Sequence, residues 1–142
     1  DLHRHAVKFW EESMPHLLCD KIAPYLSQAK NKRHNIILLS NSPSFLVKAC
    51  AQKLSIAHWK SSDYFLDKQG NLAALAQLFS GEDKRDYIAK IAAKNQLTKD
   101  SIYAFSDSIE DLPLLLLAGK VFVVRPDRRL KKYCTLKKWS IL

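Results

Sequence analysis

The sequence predicts an α/β protein built on a parallel, Rossmann-like sheet flanked by helices, and three observations carry that prediction. Short, largely apolar runs at Ile36-Ile-Leu-Leu39, Ile102-Tyr-Ala-Phe105 and Val121-Phe-Val-Val124 have the length and composition of strands buried on both faces. Segments with helical spacing fill the intervals between them. Each of the first two runs breaks off into polar, helix-starting sequence, Ser40-Asn-Ser-Pro43 and Ser106-Asp-Ser108. That is the strand, loop, helix order of a parallel sheet.

Taken in order, residues 1 to 34 read as interrupted helix. Val7, Phe9, Trp10 and Met14 form one apolar stripe, and Pro15 is expected to end or kink it. Ile22, Tyr25, Leu26 and Ala29 then keep the i, i+3, i+4, i+7 spacing of a second amphipathic helix. After the first strand, Ser42 is expected as an N-cap and Pro43 as the first helical residue, with Leu46, Val47, Cys50, Ala51 and Leu54 as the apolar face. His58-Trp59 and Tyr64-Phe-Leu66 are expected as short strands, with Asp67-Lys-Gln-Gly70 as a turn. Gly81-Glu-Asp-Lys-Arg-Asp86 opens a helix that ends near Asn95. Pro113 suits the first turn of another, and Gly119 stands where that one stops. A basic helix follows the last strand, and Trp139, Ile141 and Leu142 pack back on the domain.

Composition bounds the function. The 142 residues, 47% of them hydrophobic, are enough for a folded core, and no apolar run approaches the ~20 residues of a membrane span. The first residues show no signal-peptide pattern, and three widely spaced cysteines, Cys19, Cys50 and Cys134, read as reduced thiols, so a cytoplasmic protein is expected. Of the net charge of +9, six units lie from Arg125 onward, where seven basic residues face Asp127 alone. Such a patch favours anions, and a basic non-catalytic module for anionic lipid or nucleic acid is the rival reading. Aromatic residues are not interleaved with the basic ones, so nucleic acid is not the expected partner.

The polar residues at the strand ends suggest chemistry. Ser40, Asn41 and Ser42 stand where a strand gives way to a helix, a ready anion site. Asp107 and Asp111 share one loop after a strand and offer the hard oxygens that Mg²⁺ prefers. Lys84 falls in the first turn of its helix, where a cation opposes the helix dipole by ~0.3–1 kcal/mol. An unfavourable lysine hints at a function, unless Asp83 and Asp86 simply neutralise it. Together these groups describe a site for a Mg²⁺-bound phosphate.

These residues resemble the motifs of the haloacid-dehalogenase-type (HAD) phosphatase superfamily. Ile36-Ile-Leu-Leu-Ser40 is similar to its second motif, Gly81-x-x-Lys84 to its third and Asp107-Ser-x-x-Asp111 to its fourth. Ser40-Asn-Ser-Pro, Ser106-Asp-Ser-x-x-Asp-Leu-Pro-Leu and Arg125-Pro-Asp-Arg-Arg-Leu resemble the phosphoserine-phosphatase-like subgroup, and the likeness runs over roughly residues 8 to 142. It implies an Mg²⁺-dependent phosphomonoester hydrolase that forms an aspartyl-phosphate. Ser40 would bind the transferring phosphoryl group and Lys84 the phosphate. Asp107 would ligate Mg²⁺, Asp111 would support the metal and its waters, and Asn41 and Ser42 would contact substrate. The substrate would be a small phosphorylated metabolite or a lipid phosphate, with peripheral contact to an anionic membrane through the basic tail.

One departure bears on activity. The family's first motif, Asp-x-Asp after the central strand, carries the nucleophile, yet no two of the aspartates here stand two apart. The resemblance therefore implies the carboxy-terminal part of such a protein, with residues 1–34 as the end of a cap insert and its return helix, and 35–142 as the core without its central strand. The isolated chain is expected to be inactive and to self-associate through the edges flanking that strand.

Overall fold

A computed structural model describes all residues, 1–142, as two units, Asp1–Phe79 and Ser80–Leu142. No helix is long and apolar enough to cross a membrane.

In the first unit, helix α1 (Leu2–Leu17) starts at Asp1, whose carboxylate accepts the His3 N–H, and runs through Pro15. The helix does not end at the proline. The proline forfeits one hydrogen bond, but the next turn closes normally, with the Leu18 N–H bonded to the Met14 carbonyl. The Trp10 indole N–H donates to the Leu46 carbonyl at 3.0 Å, and Lys53 pairs with Glu11 at 3.1 Å, tying α1 to the helix over Ser44–Lys53. Helix α2 (Ala23–Asn31) has Pro24 in its first turn. Strand β1 (Ile37–Pro43) runs past the predicted Leu39, so helix α3 (Ser44–Lys53) begins one residue later than expected. Pro43, extended at ψ 143°, takes the cap position in place of Ser42 and offers no side-chain cap.

β1 pairs in parallel with β2 (His58–Leu66), and β2 turns back antiparallel into β3 (Leu72–Gln77). The predicted turn is there. Asp67 Oδ1 accepts the Gln69 and Asn71 N–H groups, and Gly70 adopts φ +82°, a conformation open to glycine at no steric cost. A turn between strands implies β3, but its extent was not readable, because Leu72-Ala-Ala-Leu-Ala-Gln77 lacks the β-branched residues that mark strands.

The second unit opens with helix α4 (Gly81–Lys94), closed at its start by a reciprocal capping box. The Ser80 N–H and hydroxyl both donate to Asp83 Oδ2 at 2.7 Å, while the Asp83 N–H donates to the Ser80 hydroxyl. Strand β4 (Tyr103–Ser106) leads through a short 3₁₀ turn, Ile109–Asp111, into helix α5 (Leu112–Leu117). Strand β5 (Lys120–Val123), helix α6 (Arg128–Lys137) and a last short strand β6 (Ser140–Ile141) complete the unit. The sheet order is β4-β5-β6, all parallel. Its core is Ala104, Leu115, Ala118, Val123, Leu130 and Cys134, with Trp139 packed against it. Burial raises the Cys134 thiol above its ordinary pKa, as expected of a thiol used for packing.

The α/β class and the parallel pairings hold. The strands form two three-stranded sheets, and the first is mixed because its third strand returns through a hairpin. β1 and β4 each have a strand partner on one side only.

Candidate active site

In the second unit three of the predicted motifs' side chains form one network. The first turn of α4 packs against the 3₁₀ turn so closely that a Cβ on Gly81 would lie 1.8 Å from the Glu110 carbonyl oxygen. Only glycine permits that approach, and it brings Lys84, one turn on, to the acidic loop. The Lys84 ammonium is buried and reaches Asp111 Oδ1 at 2.7 Å. The other oxygen of Asp111 accepts the Ser106 hydroxyl, also at 2.7 Å. Neither acid near Lys84 in sequence neutralises it: Asp83 is engaged by Ser80, and Asp86 by Arg85 at 2.9 Å.

The loop between Ser106 and Asp111 is closed by its own polar groups. The Ser108 N–H donates to Ser106 Oγ, the Glu110 N–H to Ser108 Oγ and the Asp111 N–H to the Ser108 carbonyl. Asp107, at the carboxyl end of β4, is exposed, and no hydrogen bond or ion pair engages its carboxylate. Ser108 caps the 3₁₀ turn, its hydroxyl accepting the Glu110 N–H, and the Asp107 carboxylate takes no part in the capping. Across the loop stands Asp127, whose carboxylate accepts the Ile109 N–H and the Leu130 N–H, both at 2.8 Å. These bonds hold its pKa below the ordinary carboxylate value, the Leu130 bond most strongly.

In the first unit, Ser40, Asn41 and Ser42 form the last part of β1. The Ser40 hydroxyl accepts the Ser42 N–H at 3.1 Å, and α3 begins at Ser44 without a side-chain cap. Uncapped amides at a helix start favour an anion. Asn41 Oδ1 is buried with no hydrogen-bond partner.

Mg²⁺ takes one or two protein carboxylates and completes its octahedron with waters and substrate phosphate oxygens. A free Asp107 with Asp111 behind it is a donor set of that kind and fits the ion. No group of three or more His, Cys, Asp or Glu side chains converges into an all-protein cage.

Sequence reasoning singled out Lys84, Asp107 and Asp111 as candidates, and the structure joins Lys84 to Asp111. It passed over two residues. Ser106 lay within the quoted motif but was given no role. Asp127 was counted only as the lone acid in a basic tail, although an aspartate three residues before Leu130 is an N-cap signal.

Comparison with known proteins bears on the family resemblance. A family model described as haloacid dehalogenase-like hydrolase matches residues 1–116. A probable phosphatase of Mycobacterium tuberculosis is 31% identical over 108 residues, covering 76% of this chain and 38% of that protein. A Bordetella pertussis protein of unknown function superposes with a TM-score of 0.77 at 17% identity, over 96% of this chain and 63% of the other. A probable phosphoserine phosphatase from Vibrio cholerae gives 0.68 at 15% identity, over 80% and 35%. The chain spans well under half the length of the curated relative it matches. With the match covering most of its residues, and with a phosphoserine-phosphatase-like fold, the chain belongs to the haloacid dehalogenase-like hydrolases.

Proposed function

We propose that the chain supplies the phosphate- and metal-handling residues of an Mg²⁺-dependent phosphomonoester hydrolase acting through an aspartyl-phosphate, with the nucleophile on a segment outside these 142 residues. The observation that carries this reading is the buried Lys84–Asp111–Ser106 network next to the free carboxylate of Asp107. A lysine held by one N–H has two left to donate. Fixed in this way, it offers a phosphoryl group preorganised positive charge that needs no reorganisation during reaction.

The roles follow residue by residue. Lys84 binds phosphate and balances its charge. Asp107 ligates Mg²⁺, while Asp111 holds Lys84 in place and supports the metal's waters. When bound, Mg²⁺ supplies Lewis-acid polarisation of the phosphoryl oxygens. By the motif resemblance, Ser40 donates its hydroxyl to the transferring phosphoryl group, and Asn41 and Ser42 contact the substrate. The unpartnered Asn41 oxygen suits a hydroxyl or ammonium donor on that substrate, a small phosphorylated metabolite or lipid phosphate. Residues 1–34 are read as the end of a cap insert and 35–142 as the core.

The purified chain, assayed with p-nitrophenyl phosphate and millimolar Mg²⁺, is expected to show no turnover. An Mg²⁺ titration followed by amide NMR is expected to shift Asp107 to Asp111. Mg²⁺-dependent hydrolysis abolished by D107N overturns the external nucleophile. A loop indifferent to Mg²⁺ overturns the metal assignment.

A further inference from the structure

Every backbone N–H of the loop from Ser108 to Asp111 is hydrogen-bonded, and three of the four bonds stay within the loop itself, to Ser106 and Ser108. The fourth, from Ile109, goes to Asp127, 18 residues away. Asp127 also grips the other side of Asp107, since its own N–H donates to the Asp107 carbonyl at 2.9 Å. Its second carboxylate oxygen accepts the Leu130 N–H and so starts α6, whose Leu130 and Cys134 lie in the core. One residue therefore ties both flanks of Asp107 to a helix whose Leu130 and Cys134 lie in the core.

The effect on Asp107 is specific. Lys84 and the close approach of Gly81 hold the far end of the six-residue loop at Asp111 and Glu110, but those contacts leave the stretch that carries Asp107, residues 107 to 109, free to pivot. Anchoring the carbonyl of residue 107 and the amide of residue 109 stops that pivot, while the Asp107 side chain makes no bond of its own and stays available. A metal ligand needs this kind of outer support: ligands are oriented by the hydrogen bonds behind them, and loss of such a partner typically costs 10–100-fold in metal affinity.

We infer that Asp127 is a positioning residue for the divalent-cation site, holding Asp107 in its ligating orientation through the Asp107 carbonyl and the Ile109 amide. The inference rests on Asp107 being a metal ligand. Asp127 touches neither metal nor substrate in this role. A plain N-cap accounts for the Leu130 bond but leaves the bonds to Asp107 and Ile109 without a purpose.

The substitution D127N separates the two roles. Asparagine caps helices as well as aspartate does, so its oxygen keeps the Leu130 bond. Its amide then faces the Ile109 N–H, donor against donor, and that bond is lost. Two measurements on the ¹⁵N-labelled chain decide the matter: amide hydrogen exchange without metal, and line broadening of residues 107–111 during titration with Mn²⁺ alone. The expected result for D127N is faster exchange at Ile109, unchanged exchange at Leu130, and about a tenfold higher Mn²⁺ concentration for half-broadening. D127S, whose short hydroxyl reaches only the cap, should behave alike. Faster Ile109 exchange with an unaltered Mn²⁺ titration makes Asp127 a structural cap and overturns the proposal, as does unchanged exchange. A wild-type loop that ignores Mn²⁺ fails at an earlier point, the metal assignment, and is recognised because the failure appears without any substitution.

Discussion

The buried pair of Lys84 and Asp111 allows a quantitative test. Their side chains are 6% and 16% exposed, and the charged atoms lie 2.7 Å apart. At an effective dielectric constant of about 20 that separation corresponds to an attraction of ~6 kcal/mol, most of it offset by the cost of removing both charges from water. The pair therefore adds little net stability, but each member is indispensable to the other. D111L strands the more buried ammonium without a counter-charge and should cost about 3–5 kcal/mol. K84M leaves a carboxylate that is wetter and still holds the Ser106 hydroxyl, so about 1–3 kcal/mol is expected. The double variant K84M/D111L buries no charge there, leaves only the Ser106 hydroxyl without its acceptor, and should return to within roughly 1–2 kcal/mol of wild type, a coupling of at least about 2 kcal/mol. Urea unfolding followed by circular dichroism and by the fluorescence of Trp139, which packs on the core of this unit, measures all four corners of the cycle. Single substitutions that add within 0.5 kcal/mol, the usual tolerance for independent sites, would refute the claim that the two side chains form one unit.

Two further expectations concern the supports of that pair. G81A places a methyl group against the Glu110 backbone, which cannot rotate away, so α4 must lift from the acidic loop. The cost should be about 1–3 kcal/mol by urea unfolding, with Lys84 drawn off Asp111, and a variant as stable as wild type would show the contact to be looser than described. Acid should weaken the second unit through Asp83 and Asp127, whose folded pKa values lie below the ordinary 3.8 because Ser80 and Leu130, respectively, hydrogen-bond their carboxylates. For a depressed pKa the stabilisation is complete above the unfolded value and disappears as pH falls through the folded one, so the loss begins near pH 4 and deepens below it. D83N should flatten that slope in a pH series of thermal midpoints; an unchanged slope would remove Asp83 from the account.

How much of this was legible in the sequence depends on where each partner lies along the chain. The turn at Asp67 to Gly70, the α4 start and the Pro113 helix all follow from bonds spanning a few residues, and local chemistry announces them. Ser42 failed as a cap for a related reason. Its amide is drawn to the Ser40 hydroxyl, which keeps the backbone extended to Pro43, and a local rule misjudged two competing local bonds. The extent of β3 and the presence of β6 were not visible, because Leu72–Gln77 and Ser140–Ile141 become strands only by pairing with β2 and β5.

The site shows the same division more sharply. Lys84 was conspicuous because it violates the preference of a helix start, and the violation is resolved by Asp111, 27 residues on. Its misfit was local; its partner was not. Asp127 shows the converse. It obeys every local rule as an N-cap, so nothing in its neighbourhood suggests that its second oxygen serves a loop 18 residues earlier. A residue that breaks a local preference draws attention to its function, whereas one that satisfies a local preference and a distant one together is hidden by the first. The charges of Lys84 and Asp111 were accordingly conspicuous in the sequence, and the bond from Asp127 to the loop required coordinates.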